Sequence, residues 1–128
     1  MREELRQIGR LEFEELVDQA LETLPAEFLE KMDNVELHVE EAPERELLES
    51  MGLFGRGTLF GLYQGVPRPQ RSSFSFVTLP DRIVIYRRPI LRACRNRREV
   101  VEQVRKTVVH EIAHHFGFSE ERLRELGY

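Results

Sequence analysis

Hydrophobic and polar residues recur along this chain with two periods, one typical of helices and one typical of strands. Intervals of three and four between apolar residues predict helices over residues 11–24, 25–32 and 44–52. Strict alternation predicts a half-buried strand over residues 34–41. Runs rich in branched and aromatic residues predict two more strands, over residues 58–65 and 81–89. The chain is therefore expected to combine helices with a small number of strands.

The longest predicted element is a helix that begins after Asn96 and ends at Gly117. Asn96 can cap this helix, and Glu99 three residues later completes a start that resembles a capping box. Apolar residues then follow at intervals of three or four, namely Val101, Val104, Val108, Ile112 and Phe116. Glycine is a common helix stop because it adopts a left-handed backbone conformation at little cost. The pattern predicts a largely buried helix of about 20 residues, or ~30 Å.

A segment rich in proline and serine, residues 66–80, separates the second and third predicted strands. Loops of this length within a compact domain are usually functional or mobile. The segment is therefore a candidate lid over a cleft, and residues 73–77 within it could form a short additional strand.

Composition narrows the class of protein. Hydrophobic residues make up 41% of the 128 positions and charged residues 33%, which is typical of one globular domain over residues 1–128. No apolar run is long enough to span a membrane, and the N-terminus has no apolar signal region. The single cysteine, Cys94, cannot form an internal disulfide. These features favour a cytoplasmic protein with no membrane partner.

Charge is distributed unevenly along the chain. Residues 1–50 carry 5 basic and 16 acidic side chains, whereas residues 82–106 carry 9 basic and 2 acidic ones. Either the two regions complement each other in the fold, or the basic segment binds an anionic partner. The first interpretation is favoured, because the arginines are not interleaved with aromatic residues and the chain is acidic overall. Nucleic acid is therefore not an expected partner.

Three of the four histidines fall in HEIAHHFG, residues 110–117, within the last two turns of the long helix. His110 and His114 are four residues apart, so they lie about 40° apart around the helix axis and ~6 Å along it. Two imidazoles on one helical face can bind the same zinc ion. Glu111 lies about 100° from His110 and borders the same cavity, where a carboxylate can act as general base. The spacing predicts His110 and His114 as ligands of one zinc ion per chain and Glu111 as the catalytic base.

A catalytic zinc ion usually has three protein ligands and one open position. In the longer motif H-E-x-x-H-x-x-G-x-x-H, a glycine lets the chain turn back, and the residue three positions further on is the third ligand. The same count from Gly117 leads to Glu120, which is the candidate third ligand, with Glu121 as the alternative. These residues also suit the start of a helix capped by Ser119 with an acidic first turn, and both interpretations can hold together.

Other polar residues have less defined roles. His115 lies about 140° from His110 around the helix, so it is expected to support the site or to lie on the surface, with a role as electrophile as the alternative, and not to bind the metal. Tyr86 is a second candidate for these roles. Side chains that could stabilise an oxyanion are His115, Tyr63, Tyr86, Tyr128 and Arg87. His38, alone on a predicted strand, is expected to face the solvent.

Several stretches resemble, in order, the minimal zincin-like metallopeptidases of bacteria. They are FEELVDQALETLP, NVELHVEE, LFGLYQG, LPDRIVIYRRPI and VVHEIAHHFGFSEERLRELG. The resemblance covers nearly the whole chain, and the last stretch, with its HExxHxxG motif, is the most specific part. It implies an α+β, compact zincin-like domain. A small mixed sheet of three to four strands would pack on helices, with the active-site helix near the C-terminus.

The resemblance also implies zinc ligation by His110 and His114 and base catalysis by Glu111; the family often has aspartate where this chain has Glu120. The expected function is a zinc-dependent peptidase acting on an unidentified peptide or protein. Peptides often bind by adding a strand to an exposed sheet edge, and residues 58–65 are the candidate edge. Two alternatives remain open. One is a metal-dependent nuclease or RNA-processing hydrolase that uses the basic segment, and the other is a non-enzymatic binding module held together by zinc.

Overall fold

The computed structural model describes residues 5–55, 57–65 and 80–128 of the chain. Their elements, in order, are a 3-10 turn (Leu5–Gln7), α1 (Arg10–Glu22), α2 (Ala26–Lys31), β1 (Val35–Glu40), α3 (Arg45–Ser50), β2 (Gly61–Gln64), β3 (Asp81–Tyr86), α4 (Arg87–Ala93), α5 (Arg97–Phe116) and α6 (Glu120–Glu125). The predicted lid, residues 66–80, and the predicted short strand within it lie outside these ranges apart from residue 80. Within the same ranges, no helix is both long enough and apolar enough to cross a membrane.

The strands form a small mixed sheet in the order β1-β3-β2. β1 runs parallel to the central strand β3, and β2 runs antiparallel to it. β2 is therefore an edge strand of the sheet that the described residues form. This arrangement confirms the expected α+β fold with a small mixed sheet.

The predicted apolar stripe of α5 forms the centre of the core except at its two ends, of which the first is half-buried and the last is exposed. Val104, Val108 and Ile112 are fully buried, as are Phe13 on α1 and Ile83 on β3. They belong to one continuous hydrophobic cluster that joins α1, the sheet and α5. Burial on this side leaves the remaining faces of α5 for polar residues, because a helix turns by about 100° per residue.

Both predicted ends of α5 are confirmed. The Asn96 side chain accepts a hydrogen bond from the Glu99 backbone N–H at 2.9 Å, which satisfies one of the unpaired donors of the first turn. Gly117 ends the helix with φ of 75°, in the left-handed region. The next residue, Phe118, donates its N–H to the Ala113 carbonyl at 2.9 Å, as is typical where a helix ends at glycine.

One strand prediction was wrong at its end. The strand predicted over residues 81–89 stops at Tyr86, and α4 begins at Arg87. Pro89 is compatible with this helix because it lies in the first turn, where backbone N–H groups have no helical partner. Pro89 and Ile90 are both buried, so tertiary packing favours the helix over the strand that the preceding branched and aromatic residues suggested.

The acidic N-terminal half and the basic segment are joined by ion pairs. The Arg87 guanidinium donates to both carboxylate oxygens of Glu41, at 2.6 and 2.8 Å. These bonds lower the pKa of Glu41. Arg97 Nε donates to Glu12 Oε2 at 2.6 Å. The interpretation that the two regions complement each other is therefore supported by direct contacts between them.

β2 approaches α5 closely at Gly61. A Cβ atom at this position would lie 2.6 Å from Thr107 Cγ2 and 2.8 Å from the Val84 carbonyl oxygen. Contacts this short do not occur for real side chains, so only glycine allows the strand to lie against the helix here.

We therefore expect Gly61→Ala to lower the free energy of unfolding by about 1–3 kcal/mol, the usual cost of overpacking. Urea denaturation measures this change. Gly57→Ala is the control, because the nearest atom to its Cβ would be a Leu53 methyl at 4.0 Å. That variant should stay within about 0.5 kcal/mol of the wild type. Equal effects would contradict close packing of β2 on α5.

Candidate active site

A cleft of about 460 Å³ opens between the segment Thr58–Gly61, α5 and the start of α6. The three predicted zinc ligands line it, namely His110, His114 and Glu120, together with the predicted base Glu111. The cleft therefore combines the side chains that sequence spacing had selected, and it lies beside the edge strand.

The orientation of α5 places the histidines in this cleft. The core packs against one face of the helix, so the stripe of Lys106, His110 and His114 faces outward and is exposed. These residues are four apart, so their side chains lie on successive turns of one face. The two imidazoles thus share a wall of the cleft on adjacent turns.

Glu111 differs from the histidines because it is partly buried. Burial removes water from its carboxylate and raises the pKa of Glu111. The charge of His114 and a hydrogen bond from the Tyr63 backbone N–H act in the opposite direction and favour the ionised form. A carboxylate with a raised pKa is better matched to accepting a proton near neutral pH.

Glu120 is the first residue of α6, and its side chain is exposed. The predicted cap of this helix is present, since Ser119 Oγ accepts a hydrogen bond from the Arg122 N–H at 3.0 Å. Within residues 5–55, 57–65 and 80–128, no three His, Cys, Asp or Glu side chains are arranged to hold a metal ion. Ligation by Glu120 therefore stays a prediction. Glu121 is exposed and does not line the cleft.

The chemistry of the donors nevertheless suits zinc. Two imidazoles four residues apart on a helix, with a nearby carboxylate, are ligands that zinc accepts. His110 and His114 could supply the imidazoles, and Glu120 lines the same cleft and could supply the carboxylate.

The remaining sequence candidates lie outside the cleft lining. Tyr86 is buried at the end of β3, where its backbone N–H donates to the Phe60 carbonyl at 2.9 Å. His115 points toward β2, and its ring stacks on Tyr63 with centroids 3.9 Å apart. His38 is exposed beside Glu36 on β1, as expected.

A hydrogen-bonded group that the sequence did not predict borders the site. The Tyr63 hydroxyl donates to Asp81 Oδ2 at 2.7 Å, and His115 Nε2 lies 3.9 Å from the same oxygen. The one sequence signal for this region is Gly61, because a glycine inside a strand pattern indicates close approach of the backbone to another element. Spacing in the sequence gives no sign that Asp81 and His115 meet.

Comparison with known proteins places the chain in a family. The profile of the zincin-like metallopeptidase family matches residues 32–128. The chain belongs to this family. The matched region includes all three strands, α5, α6 and every residue of the candidate zincin-like site. The expectation from the sequence resemblance is therefore confirmed at the level of family.

This zincin-like chain is similar to a solved structure. That structure is of a conserved hypothetical protein from Thermo thermophilus, with a TM-score of 0.57 and 24% sequence identity. The similarity covers 85% of this chain and 94% of that one. At this identity the likeness shows the fold alone. No match was found among curated proteins.

The raised pKa of Glu111 leads to a prediction about stability. A group whose folded pKa is raised contributes stability below its unfolded pKa and loses that contribution as pH rises through the folded pKa. Glu111→Gln removes this titration but keeps a hydrogen-bond acceptor for Tyr63. We expect it to raise the melting temperature of metal-free protein at neutral pH. The difference should shrink as the pH falls through the raised pKa of Glu111 and should be gone below 4.5, the ordinary value for glutamate.

Thermal denaturation of chelator-treated protein across this pH range measures the effect. Glu121→Gln is the matched control, because Glu121 is exposed in the first turn of a different helix. A difference between Glu111→Gln and wild type that is the same at every pH would contradict the role of burial.

Proposed function

We propose that the chain is a zinc-dependent peptidase in which Glu111 is the general base. The observation that carries this proposal is the position of Glu111, partly buried in one cleft with two exposed histidines of the same helix. A site that only holds a fold together needs no carboxylate beside its ligands and no open cleft. Membership of the zincin-like family supports the same chemistry.

His110 and His114 would hold the zinc ion, with Glu120 as the third ligand. When bound, zinc lowers the pKa of a water molecule and polarises a carbonyl oxygen. Glu111 would accept the proton of the attacking water and pass it to the amine of the leaving peptide. The raised pKa of Glu111 favours both steps, since the carboxyl group must gain and lose a proton in each cycle.

The edge strand β2 gives a route for a peptide substrate. Extended peptides often bind by adding a strand to a free sheet edge, where backbone hydrogen bonds hold them without strict sequence preference. The start of β2 at Gly61 lines the cleft, so a peptide along this edge would pass beside Glu111. This placement supports a peptide or protein as the substrate.

Glu120 would bind zinc only at an entropic cost. Fixing an exposed glutamate side chain costs about 1.5–2 kcal/mol of rotamer freedom. The backbone adds little to this cost, because packing against α2 already fixes the position of α6, which carries Glu120. Phe118 stacks on Phe28 of α2 with ring centroids 5.0 Å apart, and Arg122 of α6 pairs with Glu27 of α2.

The first prediction from this proposal concerns zinc binding. We expect one zinc ion per chain, a higher melting temperature on zinc addition, and loss of stoichiometric zinc in His110→Ala and His114→Ala. Glu120→Ala should weaken zinc binding by more than about tenfold, whereas Glu121→Ala should not. Elemental analysis after purification without chelator, and zinc titration of the apoprotein, measure these quantities.

His38→Ala is the control for loss of a histidine, because His38 is exposed on β1. Protein that carries no transition metal at stoichiometric level would rule out the zinc centre. A larger effect of Glu121→Ala than of Glu120→Ala would move the third ligand to Glu121.

The second prediction concerns the base. Glu111→Gln should keep zinc but lower the rate of peptide cleavage by roughly 10²–10⁴, the usual contribution of general acid–base catalysis. The amide preserves size and hydrogen bonding but cannot accept the proton. Cleavage of a peptide library, followed by mass spectrometry, identifies a substrate on which the variants are compared.

Glu121→Gln is the control, because it makes the same chemical change outside the cleft. Cleavage by Glu111→Gln at the wild-type rate would show that the peptidase mechanism is wrong. Zinc binding without any cleavage, at a site that a hydroxamate inhibitor cannot reach, would favour the non-enzymatic binding module.

A further inference from the structure

Edge strand β2 and helix α5 meet along one stripe of the helix. Gly61 faces Thr107, while Tyr63 contacts both Glu111 and His115. These three helix residues are four apart, so they lie on successive turns of the same face. The strand and the helix therefore run in the same direction. Their contact along this stripe determines which backbone groups of β2 lie beside Glu111.

The register of β2 directs the Tyr63 backbone away from the sheet. The Tyr86 N–H donates to the Phe60 carbonyl at 2.9 Å, and Tyr63 lies opposite Ile83. Hydrogen-bonded and non-hydrogen-bonded pairs alternate in an antiparallel ladder, so Tyr63 occupies a non-hydrogen-bonded position. Its N–H therefore points to the outer edge of the strand, and there it donates to the Glu111 carboxylate.

The Tyr63 side chain is held at two points. Its hydroxyl donates to Asp81 Oδ2 at 2.7 Å, and Asp81 is a buried residue of the central strand. Its ring lies on the His115 ring with an angle of 16° between the planes. The central strand, the edge strand and the helix are thus joined around one tyrosine, next to the carboxylate that its backbone holds.

We propose that Tyr63 is the positioning residue for Glu111, with Asp81 and His115 as its supports. The role of Glu111 as a base rests on the proposed function. The hydrogen bond from the Tyr63 N–H to the Glu111 carboxylate, here called the tether, does not. A glutamate side chain has several rotatable bonds, and a base displaced by even 1 Å loses much of its rate. The Tyr63 N–H fixes the carboxylate at the outer edge of β2, so a peptide added along this edge would pair with the neighbouring backbone groups of the strand and not with this N–H. Substitutions that release Tyr63 should therefore let Glu111 turn away.

Hydrogen exchange of the residue-63 amide, measured by NMR in zinc-free protein, tests the tether without a substrate. Glu111→Ala should speed this exchange by about fivefold or more, as expected for loss of one hydrogen bond. Tyr63→Phe and His115→Ala should speed it by at least about twofold, because each releases one support. The Leu62 amide, which lies in a hydrogen-bonded position opposite Val84, reports opening of the whole strand. Tyr128→Phe is the matched control outside the cluster.

Faster exchange that is confined to residue 63 supports the tether. Unchanged exchange in Glu111→Ala would overturn it, because the bond would then contribute nothing. Equal acceleration at Leu62 and at residue 63 in Tyr63→Phe and His115→Ala would also overturn it, because the cluster would then serve only the packing of β2.

Kinetics of the zinc-loaded protein on a peptide that the wild type cleaves tests the consequence. Tyr63→Phe, His115→Ala and Asp81→Ala should each lower kcat about tenfold, while KM and zinc content stay within about twofold. Asp81→Asn should recover most of the rate, because its amide oxygen still accepts the tyrosine hydroxyl. The positioning role would be overturned if, across these variants, the loss of kcat correlated with the fall in melting temperature and not with the residue-63 exchange rate. Absence of cleavage by the wild type would count against the proposed function, and the exchange rates would still decide the tether.

Discussion

The site depends on the orientation of α5 about its own axis, because this orientation decides which side chains of the helix face the core and which face the cleft. Val104, Val108 and Ile112 are fully buried on one face of this helix, and burial of each such side chain stabilises the fold by about 1.5–3 kcal/mol. A shift by one residue would turn the helix by about 100° and remove this face from the core. The core thus fixes the direction of His110 and Glu111 far more strongly than contacts in the cleft can.

The parts of the structure that the sequence predicted are those that depend on near neighbours along the chain. Asn96 and Glu99 define the start of α5 through a hydrogen bond that spans three residues, and Gly117 defines its end through its own backbone angle. A spacing of four residues is enough to place His110 and His114 on one face of a helix. Family resemblance added the mixed sheet, which the periodicity of separate strands could not give, because strand order is not a local property.

The parts that the sequence did not predict depend on which distant segments meet. The first three residues of α4 were assigned to a strand because they directly follow the branched and aromatic residues of β3, and the burial of Pro89 and Ile90 favours the helix instead. The meeting of Asp81 with Tyr63 and His115 joins positions that are far apart in sequence. Gly61 was visible as a glycine within a strand pattern, but its partner Thr107 was not. Residues that line the cleft were thus easier to predict than the residues that hold them in place.

The proposed chemistry depends most on one side chain, the carboxylate of Glu111. Ionised Glu111 is disfavoured by burial, which is why its pKa is raised. Two neighbours partly offset this effect of burial on the pKa of Glu111, namely His114 through its charge and Tyr63 through its backbone N–H. Moving Glu111 fully into water would remove the cost but also the basicity that proton transfer requires. A helix with a large buried face can carry such a residue, because the stability lost on one stripe is offset by the core packed against another.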